Sequence, residues 1–208
     1  MGCCPPLGAE PFTTGTARKD ARRYARRGLD RAATRLIDLA DPAELTILEI
    51  GAGVGALQAE VLRRGAIRST GVEISPTYDA AAYALLDRAG VRDRTTRVVA
   101  DLLRDPSQVP AADVVLLHRV VCCTPDASAL LAAAAALAGQ RLVFTYPRDN
   151  VLTETGEHVV NAAAALRGWE WRFRVHRPAE LVAAAASTGL RQRAVPTSGF
   201  WRVAVLDR

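Results

Sequence analysis

The segment "LTILEIGAGVGA", which carries Gly51, Gly53 and Gly55, does most to limit what this chain can fold into. "LTILEI" (45–50) is an unbroken apolar run, the pattern of a strand buried on both faces. Three alternating glycines follow at once, and "LQAEVLRRG" then reads as a helix ended at Gly65. Glycine is required in such a loop because the turn is tight and a ligand must lie against bare backbone. A strand, a glycine loop and a helix in that order make the first unit of an open sheet with a binding crevice at one edge.

The rest of the chain extends the unit. "STGVEIS" reads as a second strand, "PTYDAAAYALLDRAG" as a helix, "TTRVVAD" as a third strand, and "ADVVLLHRV" as a fourth. "PDASALLAAAAALAG" is then a helix and "QRLVFTYP" a fifth strand. Strand and helix alternating at short spacing predict a parallel sheet covered on both faces, an α/β class. Ahead of it, residues 1–16 are rich in proline and glycine and read as an irregular arm. Residues 17–39 show helical spacing with a break at Gly28. The last third changes character. It holds one helical piece, an aromatic cluster (Trp169, Trp171, Phe173), a further helix, and two strand-like runs joined by "TSG", which predict an antiparallel hairpin. The expected organisation is a helical arm over 1–40, a main domain over 41–208, and a small cap inserted at about 150–175.

Acidic residues close the strands. Glu49 ends the first, Glu73 the second and Asp101 the third, while His118 stands at the end of the fourth. In open α/β sheets the ligand binds along that carboxyl edge. The loop also satisfies G-x-G-x-x-G/A through Ala56, so a dinucleotide competes with S-adenosylmethionine for the crevice. Glu49 separates the two. A pyrophosphate would be repelled by it, whereas a cationic ammonium would tolerate or favour it. Glu73 can accept from ribose hydroxyls in either case, and Asp101 can accept from an adenine amino group with Leu102 against the ring.

On "LEIGAGVG", "GVEIS", "VVAD", "DVVLLHRV" and the terminal hairpin, roughly residues 45 to 208, the chain resembles the class I S-adenosylmethionine-dependent methyltransferases. The resemblance implies a Rossmann-like, doubly wound, mostly parallel seven-stranded sheet with an antiparallel C-terminal strand. It also implies that Gly51, Gly53 and Gly55 face the methionine part of the cofactor, Glu73 with Ile74 the ribose, and Asp101 with Leu102 the adenine. "LHRVVCCTPD" with "LVFTYPRD" further resembles small bacterial methyltransferases grouped with magnesium-protoporphyrin methyltransferases. That group carries a histidine near the proline where this chain has Cys123, which puts a porphyrin substrate in question. Tyr24 matches a tyrosine of the group's N-terminal helix.

Transfer from a sulfonium is an in-line displacement, and an acceptor that carries a proton needs a base. His118 is placed for that role or for contact with the cofactor, Tyr24 for a catalytic or substrate contact, and Cys123 and Arg148 for the substrate. The alternative for His118 is a structural histidine bonded to backbone. The base-amino signatures "NPPY" and "DPPF" are absent from the loop after strand four. The cysteines form two adjacent pairs, Cys3–Cys4 and Cys122–Cys123. Together they could ligate zinc or a thiophilic metalloid substrate, or simply pack as small apolar groups.

Composition narrows the partners. The formal charge is +5 and the pI about 9.4, but Lys19 is the only lysine among many arginines and alanines, as a GC-rich coding bias gives. The basic stretch 17–35 holds few aromatics for base stacking, so nucleic acid is not the expected partner. No apolar run is long enough to span a bilayer and the start does not read as a signal peptide, so the expected compartment is the cytoplasm. The expected activity is methyl transfer to the O, N or S of a small molecule held between the arm, the cap and the carboxyl edge of the sheet. A metal- or metalloid-thiolate protein of the same fold and an NAD-type module are the alternatives.

Overall fold

The computed structural model describes residues 12–195 and 199–208. Its strands are β1 (Thr46–Ile50), β2 (Arg68–Glu73), β3 (Thr95–Val99), β4 (Ala112–Leu117), β5 (Ala138–Pro147), β6 (Arg191–Arg193) and β7 (Trp201–Asp207). They form one sheet in the order β3-β2-β1-β4-β5-β7-β6. The first five strands pair in parallel, and β7 runs antiparallel to both β5 and β6, with Val143 opposite Val205. This is the doubly wound sheet expected from the sequence, with the expected terminal hairpin. The strand order reverses between β1 and β4, and the crevice of such a sheet opens at that reversal.

The unbroken apolar runs of β1 and β4 are explained by which way each residue points. Ile47, Val114 and Leu116 join one buried cluster with Leu36, Ile37, Leu62 and Leu86. Their neighbours Leu48, Ile50, Val115 and Leu117 join a second cluster with Leu130, Leu131, Phe144 and Leu181 on the other face. Successive side chains alternate across a strand, so a strand covered on both faces is apolar at most positions; Glu49, near the crevice end of β1, is the buried exception.

The helices are α1 (Thr14–Arg27), α2 (Arg31–Ala40), α3 (Ala56–Arg63), α4 (Asp79–Arg88), α5 (Ala127–Ala136), α6 (Val151–Leu166) and α7 (Pro178–Ala186). As expected, the arm's helical stretch is interrupted at Gly28. Asp30 caps α2, its Oδ1 accepting from the Ala33 N–H at 2.9 Å. Leu36, Ile37 and Ala40 of α2 are fully buried, so the arm shares the core of the main sheet. Behind β4, α5 stops at Ala136 and β5 begins at Ala138, two residues before the strand expected from the apolar pattern.

At the outer edge, β6 has three residues, all exposed. Asp207 of β7 pairs with Arg141 Nε at 2.5 Å and Arg193 Nε at 3.4 Å. A short, charged edge strand discourages pairing with another sheet. Residues 169–177, including the aromatic cluster, follow α6 without regular structure.

Candidate active site

Two hollows meet at Gly51 on the carboxyl edge of β1, β2 and β4. The larger, about 480 Å³, lies between the glycine loop and the arm, and is lined by Tyr24, Asp30, Glu49, Gly53, Tyr78 and His118 among others. The smaller, about 80 Å³, is lined by Glu73, Ile74, Asp101, Leu102, Val120 and Cys123. Gly51 belongs to both. The residues expected at the cofactor thus fall along one continuous edge, apart from Gly55, which caps α3 just behind it.

Gly51 has φ +73°, and a Cβ there would come within 2.4 Å of Val120 Cγ2. The backbone is bare at this point because the loop after β4 crosses close to it. Glu73 turns back onto the loop: its carboxylate accepts from the Gly53 N–H at 2.8 Å and the Ser75 N–H at 3.1 Å. Asp101 accepts from the Leu103 N–H at 3.0 Å. Glu49 is 3% exposed, and its Oε2 has no hydrogen-bond partner. Burial pushes its pKa well above the usual carboxylate range, with Arg97 opposing and Glu73 reinforcing the shift. A buried carboxyl that lines a cavity and lacks a partner is a place for a hydrogen-bond donor or cation. The bare backbone, Glu49 and the acids after β2 and β3 fit the S-adenosylmethionine class of ligand.

Behind the loop stands a network that sequence reasoning missed. Arg97 of β3, its side chain 1% exposed, donates from Nη2 to the Gly53 carbonyl at 2.9 Å and from Nε to Asp79 at 2.9 Å. Its Nη1 reaches Gln58 Oε1 at 3.3 Å. Gln58, fully buried, donates from Nε2 to the carbonyls of Ser69 and Thr96. The close seat of this side chain is why β2 has glycine at position 71, where a Cβ would fall 2.4 Å from Gln58 Oε1. The only signal for this network was an arginine and a glutamine inside otherwise apolar runs.

His118 follows the last residue of β4. Its Nδ1 is 3.2 Å from Thr145 Oγ1, and that fully buried hydroxyl also accepts the Arg119 N–H at 2.8 Å. His118 Nε2 is 3.9 Å from Asp30 Oδ2, an ion-pair contact too long for a hydrogen bond. Arg119 donates from Nη2 to the same Asp30 oxygen at 2.5 Å and lies over the Trp201 ring at 5.0 Å. The neighbouring His118 imidazole, the Ala33 N–H and Arg119 hold the Asp30 carboxyl well below the usual carboxylate range, against the opposing effect of burial. Arg119 has φ +59°, a conformation that costs a residue with a Cβ about 1–2 kcal/mol. These contacts hold it there, and such strain collects at functional sites.

The other expected site residues are placed differently. Tyr24 lines the large cavity, but its hydroxyl donates to Glu60 Oε1 at 2.6 Å and accepts from Arg63 Nη1 at 2.8 Å. Burial, then Glu60, push its pKa up to about 12. Arg148 borders a separate groove beside α6 together with Phe173 and Phe200, away from His118. Trp171 packs edge to face on Phe12, so the wall beside His118 is the arm and not the cap. Cys122 and Cys123 hold their Sγ atoms 3.8 Å apart, both directed at the Arg119 carbonyl. The hydrogen bond to Cys123, then burial, push the Cys122 thiol up, away from the thiolate a metal requires. Cys3 and Cys4 lie outside the described residues. Among the described residues no group of three or more His, Cys, Asp or Glu could hold a metal ion, and no helix is long and apolar enough to cross a membrane.

Residues 48–141 match the family model described as "Methyltransferase domain". Among solved structures, the chain resembles magnesium protoporphyrin IX methyltransferase (ChlM) from Synechocystis PCC 6803 with bound SAH. The TM-score is 0.69 at 20% identity, covering 95% of each chain. It resembles an O-methyltransferase family 2 protein from Planctomyces limnophilus in complex with apigenin, TM-score 0.71 at 23% identity, covering 93% of this chain and 62% of that one. It also resembles a TehB-like SAM-dependent methyltransferase from Corynebacterium glutamicum, TM-score 0.64 at 18% identity, covering 93% and 96%. At these identities the structural likeness is one of fold. No curated protein matches the chain.

Proposed function

We propose that the chain is a class I S-adenosylmethionine-dependent methyltransferase and that it methylates an O, N or S atom of a small molecule held between the glycine loop and the arm. The observation that carries this reading is the meeting of the two hollows at Gly51. One hollow is narrow and edged by Glu73 and Asp101; the other is wide and holds His118. A donor that spans the narrow hollow and ends at the wide one brings its reactive end beside an imidazole.

In this reading Gly51 and Gly53 hold the methionine part, with Gly55 capping the helix behind them, Glu73 with Ile74 hold the ribose, and Asp101 with Leu102 the adenine. When bound, the sulfonium donor supplies a methyl group that is already electrophilic. The chain's own residues hold the acceptor, exclude water and receive a proton. His118 Nε2 takes the proton of the acceptor's O–H, N–H or S–H. Thr145 fixes the ring through Nδ1, and the Asp30 carboxylate, 3.9 Å from Nε2, steadies the imidazolium that forms. Tyr24 belongs to the wall, since its hydroxyl already bridges Glu60 and Arg63.

A small-molecule acceptor is favoured over a macromolecule by the position of the arm across the cavity. The Planctomyces neighbour binds apigenin, which gives one precedent for that ligand size on this fold. Calorimetric titration with S-adenosylhomocysteine and with NAD tests the donor. The reading predicts saturable binding of the first and none of the second. Binding of NAD alone would overturn it.

A further inference from the structure

The cavity beside His118 has one cationic wall, made by α1. Arg18, Arg22 and Arg26 form one row along this helix, and Lys19, Arg23 and Arg27 a second. Residues four apart lie on the same face of a helix, so both rows are continuous. The second row runs into the cavity, where Arg23 and Arg27 are part of the lining.

The acids around the same cavity do not balance this charge. Asp30 is taken up by Arg119 and faces His118. Asp20 is 3.5 Å from Arg23. Burial disfavours the charged form of Glu49. Arg27, in contrast, makes no hydrogen bond or ion pair with any described residue, and its side chain is exposed. A cation at a helix C-terminus gains something from the helix dipole, but that does not require it to border a cavity.

We propose that the acceptor carries an anionic group, a carboxylate or a phosphate, distinct from the atom that is methylated, and that Arg27 with Arg23 receives it at the mouth of the His118 cavity. The inference rests on the methyl-transfer reading for the identity of the cavity. The outer row, Arg18, Arg22 and Arg26, adds an electropositive field that draws such an acceptor in and weakens with salt. Arg148, expected from the sequence to contact the substrate, borders the other groove and has no part in this.

The donor's own methionine carboxylate offers the same chemistry, so the test separates the two. The full chain is titrated calorimetrically with S-adenosylhomocysteine. It is then titrated, with and without that ligand, with 3,4-dihydroxybenzoate and its neutral partner 3,4-dihydroxybenzyl alcohol, and with phenyl phosphate and phenol. Each anionic probe is expected to bind about fivefold or more tightly than its neutral partner, with the preference shrinking at high salt. Arg27→Glu removes the preference, Arg27→Lys restores most of it, and both leave S-adenosylhomocysteine affinity within about twofold. Thermal unfolding of each variant checks that α1 stays folded. Equal binding of anionic and neutral probes to the parent chain overturns the proposal. So does a loss in Arg27→Glu confined to S-adenosylhomocysteine, which would assign the arginine to the donor. If S-adenosylhomocysteine fails to bind at all, the methyl-transfer reading fails, while the probe titrations without it still decide the anion preference.

Discussion

Arg119 Nη2 lies 2.5 Å from Asp30 Oδ2, joining the loop after β4 to the N-cap of α2 across 89 residues. The contact is what makes the arm part of the site. The residue next to His118 is locked in a strained backbone conformation, and the carboxylate that locks it also faces the imidazole.

Removing that carboxylate has an effect that depends on pH. The folded Asp30 carboxyl is more acidic than in an unfolded chain, so its contribution to stability is present above the ordinary carboxylate range. It is lost as the pH falls through the lowered value. Asp30→Asn keeps a capping side chain and removes the charge. Because Asp30 is partly exposed, the expected loss near pH 7 is at most about 1 kcal/mol, and the difference narrows only as the pH falls below the ordinary carboxylate range toward the lowered value. Chemical denaturation of both proteins at pH 7 and through the acid range measures it. Methyl transfer at pH 7 is expected to slow about tenfold as the imidazolium loses its neighbour.

Glu49 has the opposite sign. Its folded pKa is raised, so the buried neutral form stabilises the fold below the ordinary carboxylate range, and that contribution declines as the pH rises toward the raised value. Glu49→Gln is neutral at every pH. It is expected to match the parent near pH 4 and to be the more stable of the two near pH 8 in the absence of ligand. Unfolding midpoints across that range, taken by circular dichroism, would show the crossing divergence or its absence.

Gly51→Ala places a methyl group 2.4 Å from Val120 Cγ2 on a backbone with φ +73°. Val120 is stiff about its Cα–Cβ bond and cannot swing clear cheaply. The expected cost is about 1–2 kcal/mol from the backbone conformation alone, with more from the contact. Affinity for S-adenosylhomocysteine, read by calorimetry, should fall well beyond what the stability loss explains, because the two hollows meet there.

Arg97→Met removes the cation that holds the Gly53 carbonyl and Asp79, leaving both without their partner. Breaking a buried pair from one side costs about 3 kcal/mol, somewhat less here because Asp79 is partly exposed. Weaker S-adenosylhomocysteine binding in a variant that still unfolds cooperatively would show that Arg97 sets the shape of the loop. Unchanged binding would reduce it to a structural cation.

What could be read in the sequence follows from periodicity and punctuation. The strands buried on both faces, the glycine loop, the break at Gly28 and the terminal hairpin each leave a local pattern. So do Glu49, Glu73, Asp101 and His118, because strand ends are visible in one dimension. Asp30, Thr145 and Arg97 were not legible. Each acts on a residue far along the chain, and a capping aspartate or a threonine within a strand has an ordinary local explanation. Arg148 follows β5 directly, but it borders the groove beside α6 and not the cavity that holds His118.

The central claim is methyl transfer to a small molecule by the cavity that holds His118, and transfer of a labelled methyl group tests it most directly. The full chain is incubated with methyl-labelled S-adenosylmethionine and a metabolite extract, and the label is then followed by mass. The account predicts label in the low-molecular-mass fraction, with stoichiometric S-adenosylhomocysteine, and a rate about a hundredfold lower in His118→Ala at unchanged S-adenosylhomocysteine affinity. Label appearing only on protein or nucleic acid, or transfer undiminished in His118→Ala, would contradict it.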